Sequence, residues 1–220
     1  MSGDLIFDAL LWIHIAAGMV ALVVAPGALL TRKGSGWHRH WGQMYFWSMA
    51  VVAGTALVMS AMRSGLFLGL VAVFSFYLAF TGVRALRRKR PGVRVTRWDW
   101  GAALIALLGS VGLILFGGLV LADGHTFGIV ALVFGGIGGG LAGRDLRRFW
   151  NPSKTERAWF FMHLQRMIAA YIATVSAFSV VNFSFLPPVV RWLWPTVVGT
   201  AAIALWTRYY RRKFTAQAED

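Results

Sequence analysis

Long apolar runs alternate with short polar segments along most of the chain. Several runs continue for about 20 residues almost without charge, the length needed to cross a hydrocarbon core of about 30 Å. Backbone polar groups in lipid must be bonded within their own segment, so the runs are predicted to be α-helices. The pattern predicts seven spans, at residues 5–29, 41–62, 65–86, 100–122, 127–143, 159–183 and 188–208.

These spans predict an all-α integral membrane bundle. Residues 1–210 would form one transmembrane domain, and 211–220 a short cytoplasmic tail. Only 14% of the residues are charged and 58% are hydrophobic, whereas globular domains carry about a quarter charged residues. The first span begins with the acidic residues Asp4 and Asp8, so we expect it to be retained and not cleaved as a signal peptide.

Basic residues are distributed unevenly between the two sides of the predicted bundle. Nearly all of the 22 Lys and Arg residues fall in segments 31–40, 84–98, 144–157 and 208–213, which share one side. Positively charged loops stay in the cytoplasm, so we expect the N-terminus outside and the C-terminus inside. This topology, with anionic lipid headgroups as partners, accounts for the net charge of +14 without nucleic-acid binding.

The sixth span contains two ionisable residues, His163 and Arg166, within FFMHLQRMIAAYIATVSAFSVVNF. Helical spacing places both on one face with Met167, Ala170 and Thr174. Charged side chains at this depth face a bundle interior or a water-filled cavity, or they snorkel to the interface. Arg166 is therefore expected either to snorkel or to neutralise a buried anion: a carboxylate, a propionate or a phosphate.

A second His–Met pair, His40 and Met44, begins the second span in HRHWGQMYFW. His163 and Met167 have the same spacing of four, which places each pair on one helix face. Both spans start from the same side, so His40, or alternatively His38, is expected near His163. Imidazole and thioether ligands suit haem iron or copper, and His40 with His163 is the predicted metal pair, haem b being a possible cofactor. The alternative is an interfacial role for the loop histidines.

Small residues predict close helix packing in two spans. In the first span the small residues share one face with a histidine: His14, Ala17, Gly18, Ala21 and Ala25. In the fifth span glycines repeat every four residues: Gly135, Gly139 and Gly143. His14 would thus either form a hydrogen bond across a helix contact or serve as a ligand. Its depth places it far from His163, so the partner expected for it is His125 in the external segment ADGHTFG.

Three segments resemble a family of predicted bacterial membrane proteins carried as a domain of unknown function. They are WIHIAAGMVALVVAPGALL, GWHRHWGQMY and GRDLRRFWNPSKTERAWFFMHLQRMIAAYIATVSAFSVVN. The resemblance covers most of the chain and implies that His14, His40 and His163 belong together. It also implies a multi-pass protein of the bacterial cytoplasmic membrane. It does not imply any particular activity or cofactor.

Several classes of function are disfavoured by the residues that are missing. The chain contains no cysteine, no HExxH helix and no GxxxxGK[ST] loop, and its last span has no central lysine for a retinal Schiff base. Asp99, Asp123 and Asp145 lie at span ends or in loops, which disfavours carboxylate proton relays. The sequence leaves open whether Asp145 pairs locally with Arg147 or Arg148 or reaches across to Arg166.

Three classes remain open. The favoured one is electron transfer through haem b or a quinone, with Arg166 near a propionate. The others are a transporter of a small or anionic solute and a cofactor-free structural, assembly or sensory protein. A redox or assembly partner, or a second copy of the chain, would accompany these functions.

Overall fold

The structure, a computed structural model, describes residues 2–89, 93–151 and 157–219. Every regular element in these residues is helical. The elements are α1 (Ser2–Leu30), α2 (Gly36–Met62), α3 (Leu66–Ala85) with a 3-10 turn (Leu86–Lys89), α4 (Arg97–Ala122), α5 (Gly128–Trp150), α6 (Ala158–Asn182) and α7 (Pro188–Glu219). Each of these seven α-helices is long and apolar enough to cross a bilayer, which confirms the predicted all-α membrane bundle. Arg90 and Lys154, two of the basic residues counted above, lie outside the described residues.

Several helices extend further than the sequence pattern predicts, and α5 and α7 do so most, at their C-terminal ends. The predicted fifth span stops at residue 143, before the first charge, whereas α5 continues to Trp150. Its last turn contains Arg147 and Arg148, and cations there are favoured by the helix dipole. Similarly, residues 211–219 of the predicted tail 211–220 continue α7 as helix. The extension of α5 matters most because it places Asp145 inside a helix that packs in the bundle.

Helix α3 lies at the centre of the bundle. It packs against α2, α4 and α6, and more lightly against α5, while α1 packs on α2 and α6, and α7 on α6 and α5. Short connections make consecutive helices antiparallel. The C-terminal ends of α1, α3, α5 and α7 and the N-terminal ends of α2, α4 and α6 therefore meet at one end of the bundle, which we call the basic end.

Glycines bring the backbones of α4 and α5 into contact. A methyl group on Gly117 would lie 2.7 Å from the carbonyl oxygen of Gly128, and one on Gly135 would lie 2.8 Å from a backbone oxygen of α4. Of the predicted four-residue repeat, Gly135 thus packs closely, Gly139 has ordinary contact space, and Gly143 would meet no atom within 4 Å. The packing face of α5 is rotated slightly from the predicted one.

Aromatic side chains fill the bundle towards the end opposite the basic end. The ring of Phe67 from α3 lies 4.9 Å from that of Phe127 and 5.3 Å from that of Trp192. Phe74 stacks on Phe134 at 5.5 Å. These contacts connect α3 with α5 and α7 and leave the polar side chains described below concentrated towards the basic end.

The packing of α5 on α4 predicts opposite results for two neighbouring glycines. Gly135→Ala would push against backbone, so we expect it to destabilise the protein by about 1–3 kcal/mol, as overpacking does. Gly136→Ala faces open space on the same helix and gains helix propensity, so its melting temperature should be unchanged or higher. Thermal unfolding of both variants in one detergent provides the comparison, and equal melting temperatures would contradict the described packing.

Candidate functional site

A close approach of α6 to α3 forms the base of the candidate site. A methyl group on Gly82 would lie 2.7 Å from the sulfur of Met167 and 3.2 Å from Cβ of Arg166. A side chain at this position would displace Met167 and press on Arg166, so the glycine lets the polar face of α6 lie close against α3. Met167, predicted as a possible ligand, packs here as a neighbour of Gly82.

His163 is held by a backbone carbonyl at the end of α3. Its Nδ1 lies 2.9 Å from the carbonyl oxygen of Gly82. The N–H of Leu86 donates to carbonyls of Val83 and Arg84, the tighter pattern of a 3-10 turn, which leaves the Gly82 carbonyl free for the imidazole. A carbonyl only accepts hydrogen bonds, so Nδ1 carries the hydrogen and Nε2 of neutral His163 has a free lone pair.

His38 is held in the same way at the end of α1. Its Nδ1 donates to the carbonyl oxygen of Ala28 at 2.9 Å, in the last turn, where helix carbonyls have no intrahelical partner. Lys33 donates to the neighbouring carbonyl of Leu29 at 2.6 Å, and burial lowers the pKa of this ammonium group below its ordinary value. Neutral His38 therefore also has its Nε2 lone pair free.

The imidazoles of His38 and His163 are neighbours that connect α2 with α6. Their ring centres are 6.2 Å apart and the ring planes are nearly perpendicular, at 79°. Two metal–nitrogen bonds of about 2 Å each, plus about 1 Å from each nitrogen to its ring centre, give about 6 Å. The separation thus suits two imidazoles that ligate one metal from opposite sides.

The structure brings His38, and not His40, to His163. His40 is exposed and its ring lies 6.2 Å from that of Trp41, while Met44 is also exposed. Because α2 already includes residues 38–40, the two histidines point about 200° apart around the helix. The predicted pairing of His40 with His163 is corrected on this geometric ground, and the pair His40/Met44 faces away from the bundle interior.

The second predicted pair, His14 with His125, is not brought together. Nδ1 of His14 lies 3.1 Å from the carbonyl oxygen of Val52 and 3.0 Å from Oγ1 of Thr55, so His14 bonds across the contact of α1 with α2. His125 is exposed in the turn between α4 and α5. Within the described residues α1 packs only on α2 and α6, which separates the two histidines.

Arg166 forms a buried ion pair that reaches from α6 to α5. Its Nη2 lies 2.6 Å from Oδ2 of Asp145 and also donates to the carbonyl oxygen of Leu141 at 3.2 Å. Asp145 is 0% exposed and Arg166 is 4% exposed. Of the two expectations for Arg166, the neutralisation of a buried anion is therefore the one observed, and the anion is a carboxylate of the chain itself.

Tyr77 adds α3 to this ion pair. Its hydroxyl donates to Oδ2 of Asp145 at 2.6 Å, and its ring lies 5.3 Å from the guanidinium of Arg166. Among the described residues Oδ1 of Asp145 and Nη1 of Arg166 have no hydrogen-bond partner. We refer to Tyr77, Asp145 and Arg166 as the buried triad.

The sequence leaves the partner of Asp145 open between Arg147, Arg148 and Arg166, and the structure shows that the partner is Arg166. Asp145 lies beyond the predicted end of the fifth span because charged residues begin after residue 143. Tyr77 carried no signal at all, since it lies in an apolar run 68 positions before its partner. The argument against intramembrane carboxylates is corrected accordingly: the carboxylate of Asp145 is buried within the bundle, and it is neutralised by Arg166.

Within the described residues no group of three or more His, Cys, Asp or Glu side chains could hold a metal ion. A metal at the basic end would therefore depend on the two imidazoles and on groups supplied with the metal, as haem supplies its porphyrin. Comparisons with protein-family models, with curated proteins and with solved structures find no match to the chain.

The buried triad predicts a strong dependence of stability on charge balance. Asp145→Asn leaves Arg166 charged and uncompensated, so we expect the free energy of unfolding to fall by about 3–5 kcal/mol. Tyr77→Phe removes one hydrogen bond and should cost about 1 kcal/mol. Unfolding in mixed micelles measures both variants.

The double variant Asp145→Asn, Arg166→Gln removes both charges and should be more stable than Asp145→Asn alone. Asp123→Asn, in an exposed turn, is the matched control and should leave stability unchanged. A double variant no more stable than Asp145→Asn would contradict the coupling of the two charges.

Proposed function

We propose that this multi-pass membrane protein is an electron carrier in which His38 and His163 ligate a redox-active metal centre, haem b or copper. The observation that carries the proposal is the pair of imidazoles with ring centres 6.2 Å apart, each with Nδ1–H bonded to a backbone carbonyl and Nε2 left free. Metal-ligating histidines almost always donate their other ring nitrogen in this way, because the bond fixes the tautomer and the orientation of the ring.

The buried triad argues against the alternative of an anionic-solute transporter. An arginine that attracts a solute anion needs its charge available, but Arg166 is already neutralised by Asp145 at 2.6 Å. The same contact removes the expected role of Arg166 beside a haem propionate. In the proposed function the triad holds α3, α5 and α6 in register, so that His163 meets the end of α3.

A cofactor-free structural role is the second candidate, and one observation favours it. Both histidines satisfy carbonyls at helix ends, of α1 and of α3, which is useful to the fold without any ligand. This role uses Nδ1 and leaves Nε2 unused. An experiment that removes Nε2 and keeps the Nδ1 donor therefore separates the two candidates.

Asparagine substitutions make that separation. The amide nitrogen of Asn occupies the place of Nδ1 and can still donate, whereas Nε2 is lost. Protein purified from cells supplied with haem and copper is expected to contain about one haem or one copper per chain. We expect His38→Asn and His163→Asn to lose it while they remain folded, as metal analysis and oxidised and dithionite-reduced absorption spectra would report.

The matched controls are His40→Asn, two residues from His38 on an exposed face, and His125→Asn in an exposed turn, and both should retain the metal. A Soret band that sharpens on reduction identifies haem, and copper without colour identifies Cu(I). A wild-type protein free of colour and metal would overturn the proposal and leave the helix-end role of the histidines.

We also infer that the basic end faces the cytoplasm of a bacterial cell and that the protein resides in the inner membrane, since basic residues concentrate at this end. The chain has no cysteine, so single cysteines test this directly. In intact cells a membrane-impermeant maleimide should label Thr126→Cys, in the turn at the opposite end, and should not label Arg94→Cys until the cells are opened. The reverse pattern would invert the orientation.

A further inference from the structure

Helices α2, α3 and α4 enclose a lateral groove of about 550 Å³ that opens towards the outside of the bundle. Its lining is almost entirely apolar. Small residues on the three helices create the space, because Ala53, Ala72, Gly101 and Ala102 present little side chain where larger residues would close it. A methyl group on Gly101 would meet no atom within 4 Å, so α4 itself leaves this part of the groove open.

The groove begins at the basic end beside Arg97 and Trp98. The guanidinium of Arg97 is exposed and lies 5.8 Å from the ring of Trp98, and within the described part of the chain it forms no hydrogen bond or ion pair. Arg84, by contrast, is bonded to Asp99 at 2.6 Å. Arg97 is therefore the cation at the groove that is available to a ligand.

Polarity changes along the groove in one direction. From Arg97 to Ile105 the wall formed by α4 is about 12 Å long at 1.5 Å per residue, and beyond Trp98 it offers only apolar side chains. Tyr77 lines the groove as well, but its hydroxyl is committed to the buried carboxylate of Asp145. A ligand thus meets a positive charge at the mouth and no free polar group further in.

We propose that this groove is a binding site for one anionic phospholipid. The negative charge of the headgroup pairs with Arg97, Trp98 lies at the level of the headgroup, and one acyl chain follows the apolar wall between α2 and α4. Charge complementarity at the mouth and the apolar depth select this ligand over a quinone, whose ring carbonyls would find no hydrogen-bond donor inside. The site is separate from the histidine pair and does not depend on the proposed electron transfer.

The test measures lipid binding to the purified full-length chain by native mass spectrometry, with phosphatidylglycerol and phosphatidylcholine added in turn to the same detergent. Arg97→Gln is expected to weaken phosphatidylglycerol binding about five-fold and to leave phosphatidylcholine unchanged, since one basic residue near a membrane surface contributes on the order of that factor. Arg212→Gln, exposed on α7 away from the groove, is the charge control and should change neither lipid.

Gly101→Leu places a larger side chain in the groove, at a position where a methyl group meets no atom within 4 Å, and should weaken both lipids. Gly118→Leu is its matched control, because Gly118 lies on the same helix, is exposed and also has open space around it. The proposal is overturned if Gly101→Leu binds phosphatidylglycerol like wild type, if both leucine variants weaken it equally, or if a short-chain quinone displaces the lipid and Arg97→Gln has no effect.

Discussion

The ion pair between Arg166 and Asp145 is the interaction on which the arrangement at the basic end depends. In a medium that does not solvate charge, either residue alone would be strongly unfavourable, so α5 and α6 must meet in the one register that joins them at 2.6 Å. Tyr77 bonds to the same carboxylate oxygen and thereby includes α3. Once α6 is fixed against α3 in this way, His163 lies one turn before Arg166 and reaches the free carbonyl of Gly82.

The two histidines have a role in the fold that is compatible with the proposed ligand role. Helix ends in a membrane expose carbonyls that have no intrahelical partner, and an imidazole Nδ1–H can satisfy one of them. His38 does so for α1 and His163 for α3, and these bonds hold the two ring centres 6.2 Å apart. The structural role therefore supports the proposed ligand role. Rings that were not held in place would lose conformational entropy on binding a metal, and this loss would weaken the binding.

Hydropathy was sufficient to predict the helices, because in lipid every spanning segment must be apolar and internally bonded. Hydropathy did not predict which face of each helix points into the bundle, or which residues on distant helices pair. Whether His38 or His40 faces inwards depends on the other helices that α2 packs against. The HRH segment resembles a loop in sequence, so it does not indicate which of the two histidines points into the bundle. Predicting the partner of Arg166 required the true end of α5, which the charges after residue 143 concealed. The observed hydrogen bond of His14 across a helix contact is one of the two roles predicted for this residue.

Charge balance restricts which kinds of metal centre fit the proposed site between the two imidazoles. Neutral imidazoles contribute no negative charge, and the nearby carboxylate of Asp145 is already matched by Arg166. Lys33 is close enough to act electrostatically on both rings, so a dication held by the histidines alone would add charge to a region that is already positive. A centre of low net charge avoids this repulsion. Haem does so because the porphyrin carries two negative charges, and Cu(I) does so because it carries one positive charge, whereas Zn²⁺ does not. The electrostatics of the basic end therefore favour the two redox-active centres over a structural zinc ion.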